Sequence, residues 1–75
     1  MQDQVEQKVA ARFADAEITV ELDGNRALIR VVSDEFADMS RVARQQAVYA
    51  CIQDEIADGS LHAVTIQAVV PDTAS

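Results

Sequence analysis

The chain has 75 residues, of which thirteen are acidic, six basic and one is cysteine, giving a formal charge of −7. A single domain of this size buries only about 60% of the surface its unfolded chain would expose, so the core is small and leaves little room for an enclosed catalytic cavity. The charge repels nucleic acid phosphates and anionic membranes at long range, and a lone cysteine excludes an internal disulfide.

The amino terminus, Met1 to Gln4, is polar and acidic and lacks the basic start and apolar stretch of a signal peptide. No apolar run approaches the roughly 20 residues needed to span a bilayer. The expectation is a cytoplasmic, reduced protein.

Residues 3–14 read as a helix, with Val5, Val9 and Phe13 on one face at a spacing of four. Asp3 is placed to cap it, with Glu6 three residues on as in a capping box, and Lys8 and Arg12 lie towards the end that favours positive charge. Residues 17–22 alternate, Ile18, Val20 and Leu22 against Thr19 and Glu21, as a half-buried strand does. Asp23-Gly24 is a hairpin signal, since both residues tolerate positive φ. Residues 26–32 form the antiparallel partner, with Ala27, Ile29 and Val31 on one face and Arg30 on the other.

Ser33 to Met39 reads as a connector with helical potential, anchored by Phe36 and Met39. A longer helix is expected from Ser40 to Ala57, striped by Val48, Ile52 and Ile56, and ended by Asp58-Gly59-Ser60 with Gly59 in a left-handed position. Residues 62–70 form the last strand. Its two faces, Val64, Ile66, Ala68, Val70 and Ala63, Thr65, Gln67, Val69, are both largely apolar, which predicts cover on part of each. Pro71 stops the strand, and 71–75 reads as a frayed tail. The predicted architecture is one α+β domain over 1–75. It is ordered αββααβ, with a three-stranded mixed sheet, the last strand parallel to the second and the helices on one face.

Catalytic motifs are absent: there is no CxxC, HExxH, Walker loop or GxGxxG, and only two glycines. No enzymatic constellation is evident. Cys51 sits on the apolar side of its helix, where free cysteine behaves as a small hydrophobe, and Asp54 and Glu55 oppose an activated thiolate. Asp34, Glu35 and Asp38 read as a solvated helix start. Arg41 and Arg44, beside Gln45 and Gln46, form the local basic segment, fitted to carboxylates or phosphates. His62, the only histidine, opens the last strand after a loop, where an exposed neutral imidazole can ligate iron or zinc if other ligands complete the site.

The run Phe36-Ala-Asp-Met-Ser-Arg-Val-Ala-Arg-Gln-Gln-Ala-Val-Tyr49, then Ile56-Ala-Asp, then Leu61-His62-Ala63-Val64, strongly resembles the BolA family, nearest its IbaG (YrbA) branch. The resemblance covers roughly residues 3–71. It implies a class II KH-like fold and a non-enzymatic adaptor in iron–sulfur trafficking, iron homeostasis and stress response. It implies a heterodimer with a monothiol glutaredoxin sharing a [2Fe-2S] cluster, to which the partner brings a cysteine and glutathione. The chain alone would hold no cofactor. His62 corresponds to the family's cluster ligand, and Arg41, Arg44, Leu61, His62 and Ala63 to the partner-binding surface.

The sequence departs from the family at the second ligand, a histidine or cysteine in the loop between the first two strands. Here that loop reads Asp23-Gly24-Asn25-Arg26-Ala27, and Arg26, always protonated, cannot bind iron. Asp23, glutathione or water would have to complete the site, unless the complex forms without a cluster. A homodimer is also compatible with the resemblance. The KH-like fold implies an alternative, a nucleic-acid-binding transcriptional regulator using Arg41 and Arg44. The chain lacks the GxxG loop with which KH domains clamp nucleic acid.

Overall fold

A computed structural model describes residues 2–71. Helix α1 spans Gln2–Arg12, strands β1 and β2 span Glu17–Asp23 and Arg26–Val32, and a 3-10 helix covers Asp34–Asp38. Helices α2 (Arg41–Ala50) and α3 (Gln53–Ala57) follow, then strand β3 (Ala63–Val69). The expected tail beyond Pro71 lies outside the described residues.

The sheet has strand order β1-β2-β3, with β1 antiparallel and β3 parallel to β2. The three strands are in matched register, so Val20, Ile29 and Ile66 form one row across the sheet. Side chains alternate across a strand, so this row, with Ala27 and Val31, faces the helices. Val5, Val9, Phe13, Phe36, Val48, Ile52 and Leu61 complete the buried core. Each such side chain contributes about 1.5–3 kcal/mol relative to exposure.

The opposite face is open. Ala63, Thr65 and Gln67 are exposed and Val69 at the strand end is half-buried, so the expected partial cover of this face of β3 reduces to that one residue. A strand with apolar residues on both faces has here only one face under helices.

Local chemistry explains the boundaries. Gln2 is already helical, so Asp3 lies in the first turn of α1 and is not its cap. The hairpin has a two-residue loop, Gly24-Asn25, closed by the register pair Asp23 and Arg26. Only Gly24 has positive φ, at 62°. Positive φ at the first loop position alone is the pattern of a type II′ turn, and Asp23 belongs to the strand.

Ser33 caps the 3-10 helix by accepting from the Glu35 N–H at 3.1 Å, and Ser40 caps α2 by accepting from the Ala43 N–H at 3.1 Å. The single helix expected over 40–57 is broken at Cys51 and Ile52. The Cys51 N–H donates to Val48 and the Ile52 N–H to Tyr49, tightening the turn to a 3-10 pattern. Ile52 then leaves helical geometry, at φ −121° and ψ 20°. The break keeps Val48 and Ile52 fully buried, leaves Ile56 half-buried and turns Glu55 inward.

Glu55 pairs with Lys8 of α1, which ties the first helix to the third. Arg12 pairs with Glu35 and lies over the Phe13 ring at 4.6 Å, and Phe13 meets Phe36 at 5.1 Å between centroids. These contacts close the far end of α1 onto the 3-10 helix.

Candidate functional site

Gly59, at φ +83°, ends α3 as expected and turns the chain back towards the sheet. Asp58 accepts the Ser60 N–H at 2.8 Å, and the Ser60 side chain first, then this N–H, hold its carboxyl below the usual range. Leu61 then drops into the core at 1% exposure, with its N–H donating to the Glu55 carbonyl. Anchored by that side chain, His62 emerges exposed. It precedes β3 rather than opening it.

The His62 N–H donates to the Asn25 carbonyl at 2.8 Å. The start of β3 is therefore clamped to the β1–β2 hairpin loop. The imidazole lies against the Gly59 turn, with Nε2 3.8 Å from where a Cβ on Gly59 would stand. Glycine here supplies the positive φ; a Cβ would stand in ordinary contact with the ring.

The hairpin side of this site is polar. Arg26 and Ala63 are register partners across β2 and β3, and Arg26 also faces Asp23 across the hairpin. Together with Glu21 and Thr65 they line an open groove of about 430 Å³. The loop thus brings Arg26 and Asp23 to the same end of the sheet as His62. Of these three, His62 and Asp23 have groups able to bind a metal, and Arg26 does not. Among the described residues, no three of His, Cys, Asp and Glu are grouped to hold a metal ion. Any metal cargo at His62 would need ligands from a second molecule.

Not all the expected surface residues are brought together. Leu61 is core at 1% exposure, so its side chain is not on the exposed surface where the sequence reading placed it. Ala63 and Arg41 are exposed, and Arg44 is half-buried. The Arg44 Nε donates to the carbonyls of Phe36 at 2.9 Å and Met39 at 3.2 Å, holding the 3-10 helix to α2. Arg41 and Arg44 lie beside the last residues of β3, while His62 and Ala63 lie at its start.

Sequence reasoning missed Arg30, which joins Arg41 and Arg44 in a groove of about 390 Å³ along Ile66, Gln67, Ala68 and Val69. Its outward position in the central strand was visible; its neighbours were set by a crossover. The Asn25 contact was also missed, because a carbonyl acceptor has no side-chain signal. Cys51 is half-buried, its thiol donating to the Ala47 carbonyl, and burial pushes its pKa up despite nearby Arg12. That disfavours the thiolate.

No helix among the described residues is long and apolar enough to cross a membrane. The profile of BolA-like proteins matches residues 10–73. The chain is 39% identical over 70 residues to a protein of the rpoN-murA intergenic region of Acinetobacter guillouiae, covering 93% of this chain and 84% of that one. It is 42% identical over 55 residues to the acid stress protein IbaG of Escherichia coli K12, covering 73% of this chain and 66% of IbaG. BolA1 from Arabidopsis thaliana superposes with a TM-score of 0.84 at 23% identity, over 99% of this chain and 95% of that one.

Proposed function

Since the chain belongs to the BolA-like family, we propose that it is a non-enzymatic adaptor. In this reading it binds a monothiol glutaredoxin and helps hold or pass on a [2Fe-2S] cluster. The observation that carries the reading is His62, an exposed imidazole fixed at its main chain to Asn25 and backed by the Gly59 turn. A ligand held in this way loses little freedom when a second protein brings the remaining ligands.

The chain contributes one nitrogen ligand to such a shared site. Arg26 stands at the family's loop-ligand position and supplies charge instead. Near a cluster carrying thiolates, a guanidinium favours the anionic assembly electrostatically and donates hydrogen bonds to sulfur. Asp23 is the adjacent oxygen donor. Iron–sulfur clusters otherwise take thiolate or imidazole ligands, so the partner side carries most of the coordination.

The test mixes the protein with a monothiol glutaredoxin, glutathione and an iron–sulfur source, and follows visible absorption and circular dichroism. Wild type changes the glutaredoxin cluster spectrum, His62→Ala does not, and Arg26→His strengthens the change. A wild-type protein that neither perturbs the cluster nor binds the glutaredoxin would sink the reading. Binding without spectral change would reduce it to an adaptor that works without the cluster.

A further inference from the structure

Beyond the His62 site, two independent features meet along the free edge of β3. The first is main-chain geometry. The Val69 carbonyl accepts from Ser33, and the Ala63 N–H donates to Asn25, so alternate residues from Ala63 to Val69 turn their main chain towards β2. Val64, Ile66 and Ala68 therefore turn theirs outward. Among the described residues no strand pairs with them. Among the described residues one side chain hydrogen-bonds to this edge: the Gln45 amide donates to the Ile66 carbonyl at 2.8 Å. Its N–H stands where an added strand would place a donor.

The second feature is charge. Of six basic residues, Lys8 and Arg12 are held in ion pairs. Arg30, Arg41 and Arg44 line one groove along the second half of β3, and no carboxylate lines it with them. In a chain of charge −7 this is a local inversion of sign. Along the first half of β3 the flanking groove changes character, with half-exposed Tyr49 over Val64 and Ile66.

We propose that the free edge of β3 is a docking strand for an extended acidic segment of a partner protein. The segment adds a fourth strand to the sheet, bonding to the outward groups of Val64, Ile66 and Ala68 after displacing the Gln45 amide. Its side chains sort along the edge: an apolar residue beside Tyr49 in the first half, and carboxylates beside the arginines in the second. Main-chain bonds give such a contact affinity, and the pockets give it specificity. A nucleic acid meets less here, because the net charge repels phosphates and the outward backbone is matched by another backbone. The groove shares Arg41 and Arg44 with the surface expected to meet a glutaredoxin, but the inference does not need the His62 site, because the groove begins at Ile66 and His62 lies before the strand, and peptide binding is measured with no glutaredoxin present.

The probe is a fluorescein-labelled eight-residue peptide alternating valine and glutamate, compared with a valine–lysine peptide and with oligodeoxythymidylate. Anisotropy is measured on the full chain at low and high salt, with amide hydrogen exchange at Val64, Ile66 and Ala68. The acidic peptide binds more weakly as salt rises, and those three amides become protected. The Arg30→Glu/Arg41→Glu double variant loses affinity by about tenfold or more. Ala68→Pro, which removes one outward N–H and no bond to β2, lowers affinity as well; if it fails to fold, the exposed arginine variant decides alone. The proposal is overturned by no acidic-peptide binding at about 1 mM, by equal binding of the lysine peptide, or by arginine-dependent binding of the oligonucleotide in place of the peptide.

Discussion

At one edge of the sheet, β1 carries Glu17, Glu21 and Asp23; at the other, β3 carries no charged residue between Ala63 and Val69. Both strands have seven residues, and both have one outer carbonyl bonded by a glutamine side chain, Val20 by Gln2 and Ile66 by Gln45. Exposed edges invite pairing with other chains, and proteins blunt them with charge. The acidic edge is defended against strands in general. The neutral edge is flanked by arginines instead, a defence that discriminates by sign. The same sheet thus has one edge closed to partners and one tuned to acidic ones.

The contrast can be broken first at its anchors. Leu61, buried at the start of β3, and Leu22, half-buried near the end of β1, are both leucines supporting an edge strand. Leu61→Ala should cost about 3 kcal/mol and Leu22→Ala about 1 kcal/mol, read from urea unfolding midpoints. Equal losses would mean that the start of β3 is no more firmly seated than β1. The glutamines come next. Gln45→Ala and Gln2→Ala should each cost about 1 kcal/mol, but only Gln45→Ala should raise affinity for the acidic peptide.

A smaller effect on stability, and a sharper one on binding, comes from making β3 resemble β1. Thr65 and Gln67 are exposed, so Thr65→Glu/Gln67→Glu should change stability by no more than about 0.5 kcal/mol while abolishing peptide docking. Retained docking would show that charge does not set the selectivity. The smallest change lies on the β1 side. The hydrogen bond to Glu55 raises the pKa of Lys8 above its ordinary 10.5. A group raised on folding contributes in full below its unfolded pKa and loses that contribution as pH rises through the folded one. The unfolding midpoint should therefore fall above pH 10.5, and Lys8→Met should remove that part of the fall.

Periodicity made much of this fold legible. The alternation through residues 26–32, the Val5-Val9-Phe13 stripe and the left-handed glycine at 59 each report a local rule that tertiary structure obeys. Two-residue hairpins are also local, but which pair forms the loop depends on register, and there Asp23 was misplaced by one position. The break at Cys51 and Ile52 was invisible because neither residue is a helix breaker; packing Ile52 against the core decides it. The inward turn of Glu55 follows from that break and had no signal of its own.

The candidate surface was legible only where it is local. His62 stood out by its rarity and by the residues around it, and the structure places it exposed. Leu61 looked like part of the same surface, yet neighbours in a chain entering a strand point opposite ways. The arginine groove was hidden because Arg30 is separated from Arg41 and Arg44 by the 3-10 helix, and only the parallel return of β3 brings them to one place.

The hairpin has an evolutionary consequence. Seven register pairs and a two-residue loop fix the backbone at Arg26, so a replacement there changes the chemistry presented beside His62 without moving the chain. Arginine codons that begin CG and end in a pyrimidine become histidine codons by a single base transition. An imidazole can be gained or lost at the head of β2 in that one step, with the neutral edge of β3 left as it was. Lineages sharing this scaffold can therefore exchange a guanidinium for an imidazole at one position, and the fold itself does not record which choice was made.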